Sequence, residues 1–127
     1  MPHCQVCGPT DLREFHLRFR PRTLRRGPMI LKAEEAFLST GGRSLLLECL
    51  VIEGYLRQAF FAVITREEEG AMVRLHPRTS PEKTEGVKRC LAWIALSLRA
   101  SAPGTSLGRT NLQDQLGIEI PDGEILP

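Results

Sequence analysis

The sequence predicts an α+β fold: an antiparallel β-meander of four to five strands packed against one long C-terminal α-helix, with a short tail. Three observations carry that prediction. The runs SLLLECLVI, YLRQAFFAVITRE and GAMVRLHP are rich in β-branched and aromatic residues, and only Glu53-Gly54 and the acidic turn Glu67-Glu68-Glu69-Gly70 separate them. Gly41-Gly42 just before the first run marks a tight hairpin with a preceding strand. Behind Ser80 as N-cap and Pro81 at the first helical position, Val87, Cys90, Leu91, Ile94 and Leu98 recur at helical spacing, which predicts a helix over 81 to 98.

The remaining elements follow in chain order. Residues 1 to 10 read as a flexible segment carrying the pair Cys4 and Cys7, 11 to 100 as a single α+β domain, and 101 to 127 as a linker and tail, docked on the domain or on a neighbouring subunit. In LREFHLRFR, residues 12 to 20, Phe15, Leu17 and Phe19 alternate with Glu14, His16, Arg18 and Arg20, the pattern of a half-buried strand with a basic outer face. Pro21 ends it, and residues 21 to 28 form an exposed cationic connection closed by Gly27-Pro28. The stretch from 29 to 38 has the Ala and Glu content of a helix, but the following Gly-Gly hairpin signal tips it to strand. Both faces of the meander are apolar, so both need cover. Trp93 and Leu96 lie off the main helical stripe, so the helix has a second apolar face; the two readings are contact with another copy of the chain in a homodimer, and a sheet that supplies both contacts. In the tail, Asn111 is placed to cap a short helix, and 118 to 120 reads as a strand-like piece.

A length of 127 residues suits one ordinary core, and 42% hydrophobic with 25% charged residues is the composition of a folded chain. The longest nearly unbroken apolar run, CLAWIALSL, is half of what a bilayer requires, and no charged start with an apolar h-region opens the chain; the expectation is a cytoplasmic, soluble protein with its four cysteines reduced. The net charge of +2 conceals an asymmetry. Residues 1 to 33 carry seven Arg or Lys against two acids, a local +5, which leaves the rest at −3.

Two constellations offer chemistry. Cys4 and Cys7, joined by His16 and with His3 as a fourth donor, form a candidate zinc site, since a C-x₂-C turn delivers two thiolates at tetrahedral separation. No second C-x₂-C completes it, and a redox role lacks the helix N-terminus that would activate the first thiol. The second constellation is Arg18, Arg20, Arg22, Arg25 and Arg26. Guanidinium groups on one strand face and its following loop suit a phosphate-bearing partner, nucleic acid or nucleotide. The competing reading is a strand edge made cationic against edge-to-edge pairing. Catalytic signatures such as GxSxG, HExxH or a phosphate-cradling Gly-rich loop are absent, so a non-enzymatic binding protein is expected, with an oligomeric scaffold or assembly subunit as the alternative.

One resemblance arises at these residues. Arg22-Thr23-Leu24-Arg25-Arg26 fits the RxxxR of PilZ domains, β-rich receptors for cyclic di-GMP, and Ser39-Thr40-Gly41-Gly42 resembles the SxxG part of their second motif. The resemblance implies that Arg22, Arg26, Ser39 and Gly42 contact the nucleotide.

Overall fold

The computed structural model describes residues 1–118, 120 and 124–126. Among them the chain forms seven strands and two helices: β1 (His3–Cys7), α1 (Leu12–Arg18), β2 (Arg22–Arg26), β3 (Met29–Leu38), β4 (Ser44–Glu53), β5 (Leu56–Glu67), β6 (Gly70–Leu75), α2 (Glu85–Ser101) and β7 (Ser106–Thr110). One antiparallel sheet holds all the strands in the order β2-β3-β4-β5-β6-β1-β7 and curls as a half-barrel. The α+β class and the antiparallel meander agree with the sequence; the number of strands and helices does not. Stretch 29 to 38 is strand β3, and Gly41-Gly42 makes the expected turn into β4, with Gly42 at φ 74°.

The additional strands come from places where local signals point elsewhere. The opening segment is not a free end: β1 pairs with β6 on one side and β7 on the other, and Cys4 and Val6 are fully buried. Residues 22 to 26 are not a loop but β2, joined to β3 by a turn at Gly27-Pro28 in which Gly27 takes φ 56°. The strand predicted over 12 to 20 is instead α1. Asp11 caps it by accepting the Glu14 amide at 3.1 Å, and Leu12, Phe15 and Phe19 turn inward at helical spacing. Leu17, on which the alternation depended, stands out in solvent at 70% exposure.

A single cluster forms the core between the sheet and the helices: Leu31, Leu47 and Ile64 from the sheet, Phe15 from α1, and Cys90, Leu91 and Ile94 from α2 are representative members. Helix α2 begins four residues after its predicted start. Glu82 and Gln58 exchange hydrogen bonds of 2.7 and 3.1 Å, which hold the chain extended there; Thr84 then caps the helix through the Val87 amide. The Glu53 carboxylate accepts from the Thr84 hydroxyl and, at 3.1 Å, from the Gly86 amide, so acceptors from β4 and β5 outcompete the local Ser80-Pro81 signal.

The second apolar face of α2 is covered by the chain itself. Trp93 donates its indole N–H to the Glu124 carbonyl at 2.9 Å, the Leu126 amide donates to Ser97 Oγ at 3.3 Å, and Leu126 is fully buried. Leu116, Ile118 and Ile120 pack against the same core. The described part of the tail thus packs on the helix face that the sequence assigned to another copy of the chain. Asn111 does not cap a helix; 113 to 117 is a turn, and the Asn111 side chain accepts from the His3 amide and donates to the Met1 carbonyl. The strand-like piece expected at 118 to 120 includes Glu119, which lies outside the described residues. Among the described residues, no helix is long and apolar enough to cross a membrane.

Candidate functional site

The sheet separates the candidate zinc ligands. Side chains on a strand alternate between faces, so residues three apart project to opposite sides. Cys4 points into the core, where burial pushes its thiol up despite the Thr110 hydroxyl, while Cys7 faces the other way, beside Gln5 and Gly108. His16 sits on α1 with its ring against the Ala36 carbonyl at 3.3 Å, and the His3 ring meets the Met1 carbonyl at 3.0 Å. Among the described residues, no three Cys, His, Asp or Glu side chains gather where they could hold a metal ion. The two thiolates of one tetrahedral site must share a side of the backbone; the pairing of β1 forbids it, so the candidate site of Cys4, Cys7 and His16 is not assembled.

The arginines are placed along one corner of the molecule but not on one face. Arg18 and Arg20 lie at and just beyond the C-terminal end of α1, both exposed, and Arg20 donates to its own Phe19 carbonyl at 2.7 Å. The other three belong to β2, an outer strand of the sheet. Leu24 is fully buried on the helix-bearing side, so by alternation Arg22 and Arg26 share that side and Arg25 projects from the opposite one. The expectation of one common solvent-facing surface is thus corrected to a ridge with guanidinium groups on both sides of an outer strand. Arg22 donates to the Pro21 carbonyl at 3.1 Å and Arg26 to the Arg25 carbonyl at 2.8 Å. Among the described residues, none of the five is engaged by a carboxylate; the ion pair present is Arg89 with Glu85, 3.1 Å apart.

Two hollows adjoin the ridge. Arg18 lines one of about 270 Å³ between α1 and the end of α2, with Asp11 and Glu14 on the same wall. Arg26 lines another of about 280 Å³, together with Arg89, Asp114 and Gln115. Arg89 is a cation that sequence reasoning missed, because nothing in its helical position foretells that α2 crosses close to β2. Arg22 carries a further feature: its Nε is buried and has no hydrogen-bond acceptor among the described residues.

The residues that resemble the PilZ motifs are far apart. Arg22 pairs with Ala33, whereas Ser39 lies six residues further along β3 toward its turn, roughly 20 Å away at strand rise. Gly42 is instead occupied by a neighbour, since a Cβ there would meet the Arg13 guanidinium at 2.9 Å. Arg22 and Arg26 therefore do not share a site with Ser39 and Gly42. No family model matches this chain, and neither a curated protein nor a solved structure shows significant similarity to it.

Proposed function

We propose that the protein is a non-enzymatic binding protein whose arginine ridge, residues 18 to 26, engages a phosphate-bearing polymer, a nucleic acid in preference to a lone nucleotide. The observation that carries this reading is that five guanidinium groups lie along one outer strand and the adjoining helix end, and none is neutralised by a carboxylate among the described residues. Backbone carbonyls take single donors from Arg20, Arg22 and Arg26, which leaves most of each five-donor fork for an anion. A ridge with no enclosing wall suits a strand that passes along it rather than a small molecule held in a pocket.

The test is titration of a fluorescent single-stranded oligonucleotide at several salt concentrations. Binding should weaken steeply as salt rises, and the triple change Arg22→Ala, Arg25→Ala and Arg26→Ala should cost at least about tenfold and flatten the salt slope by up to about two units. Affinity that ignores both salt and those changes would remove the proposal. So would tight uptake of a mononucleotide with no affinity for the oligonucleotide, which points to a pocket instead.

A further inference from the structure

The sheet has two apolar faces, and the helices cover one. On the opposite face Leu50 and Val63 are almost fully buried yet belong to no part of the helix-side core. Around them stand Ile30, Leu46, Ile52 and Phe61, all half-buried, and Phe37, 49% exposed. Phe37 and Phe61 lean together with ring centroids 6.5 Å apart, and a depression of about 460 Å³ lies between Phe37 and Arg74. Aromatic and aliphatic side chains in this density on an open sheet face are those of a sandwich interior, not of a solvated surface.

We infer that this face is covered by a second copy of the chain, the two sheets packing face to face about a two-fold axis parallel to the strands and midway between β4 and β5. The pairing registers make the face complementary to itself under that operation. One row across the sheet reads Phe37, Leu46, Val63, Arg74, and the next reads Glu35, Glu48, Phe61, followed on the β6 side by His76, whose amide bonds the Phe61 carbonyl. Each row thus runs from an acid or an aromatic ring on β3 to a base beside β6. A two-fold along the strands lays β3 of one copy over β6 of the other and β4 over β5. Leu46 then meets Val63 of the second copy, Phe37 receives its Arg74 guanidinium, and Glu35 comes over its His76 with Arg74 one row away. In the first row apolar side chains meet at the centre and a guanidinium meets an aromatic ring at the flank; in the second Glu48 lies over Phe61 of the second copy and Glu35 over its His76, and no like charges are superposed in these rows.

The size is adequate. Four strands at about 4.8 Å spacing and about eight residues at 3.4 Å rise give roughly 500 Å² in plan. Side-chain relief carries the accessible area above that, toward the roughly 800 Å² that each partner contributes to a standard interface. The tail already packs on part of α2, whereas none of the helices lies on this sheet face.

The experiment is sedimentation velocity on the full-length chain up to about 100 µM, a concentration at which micromolar affinity is visible. Wild type should sediment as a dimer. Phe37→Glu, at a half-exposed position that leaves the core intact, should weaken association by at least about 100-fold, since a two-fold interface suffers each change twice. Arg74→Glu should do the same by setting acid against Glu35, and so should Glu35→Arg by setting base against Arg74; the double change should restore the dimer. Circular dichroism and thermal melts of each variant verify that the fold persists, and a variant that unfolds is replaced by Phe37→Ser. A monomeric wild type, or a dimer that survives Phe37→Glu and Arg74→Glu, overturns the inference. A dimer broken by both single charge changes but not restored by the pair overturns the proposed axis.

Discussion

Gly86 shows how one residue ties the sheet to the helix. It lies in the first turn of α2, and a Cβ there would fall 2.5 Å from a Val51 methyl and 2.6 Å from the Glu53 carboxylate. Alanine gains about 1 kcal/mol over glycine in a helix, but overpacking a close contact costs about 1–3 kcal/mol. Val51 is fixed in the core and Glu53 is held by Thr84 and the Gly86 amide, so the clash wins: Gly86→Ala should lower unfolding free energy by up to about 2 kcal/mol in urea titration. Cys90 carries a second prediction. A hydrogen bond with Cys49 and complete burial both push its thiol well above the ordinary range, and burial pushes Cys4 up as well. A group whose folded pKa is raised gives stability that is fully present below its unfolded pKa and is lost as pH rises beyond it. Unfolding free energy should therefore decline above about pH 8.5, the ordinary thiol value, and Cys90→Ala should make that decline shallower.

At the scale of elements, the contrast between α1 and α2 explains what local pattern can and cannot convey. In residues 12 to 20, Phe15, Leu17 and Phe19 fit a strand, and Leu12, Phe15 and Phe19 fit a helix equally well. The deciding signal is Asp11 three residues before Glu14, a cap whose weight becomes clear only when Leu17 is seen in solvent. Asp11→Ala should cost about 1 kcal/mol in thermal or urea unfolding. For α2 the periodicity was sufficient for the existence of the helix, because eleven buried residues leave no other way to satisfy the pattern. Its start was not legible, since the competing acceptors, Gln58 and Glu53, lie on strands distant in sequence. The tail's contribution is also measurable: Leu126→Ala removes a fully buried side chain from against α2 and should cost about 2–4 kcal/mol, read by urea titration.

At the scale of the whole molecule, the chain's two ends are joined through the sheet. Strand β1 is the neighbour of both β6 and β7, so it connects the meander to the C-terminal part of the chain. Deleting residues 1 to 7 takes Cys4 and Val6 out of the core and leaves β7 without its sheet partner. The truncated chain should lose cooperative thermal unfolding by circular dichroism, whereas removing a free end would change little. The same architecture decides the candidate sites. Alternation within β1 sends Cys4 and Cys7 apart, and alternation within β2 divides the arginines that looked contiguous in sequence. The position of these residues is plain in the sequence; the faces they occupy depend on strands whose local sequence has the character of a flexible end and a loop.

By itself, the sequence determined the class of the fold, the four-strand meander from β3 to β6, the long apolar helix and the local excess of arginine, because hydrophobic period, turn residues and charge are properties of neighbouring residues. Tertiary structure alone decided that β1, β2 and β7 join the sheet, that the tail lies against α2, and that the sheet face away from the helices carries an apolar patch. Those outcomes depend on which distant segments offer hydrogen-bond partners and apolar surface to one another. Short, weakly patterned segments acquire their conformation from such partners, and a linear pattern contains no record of them.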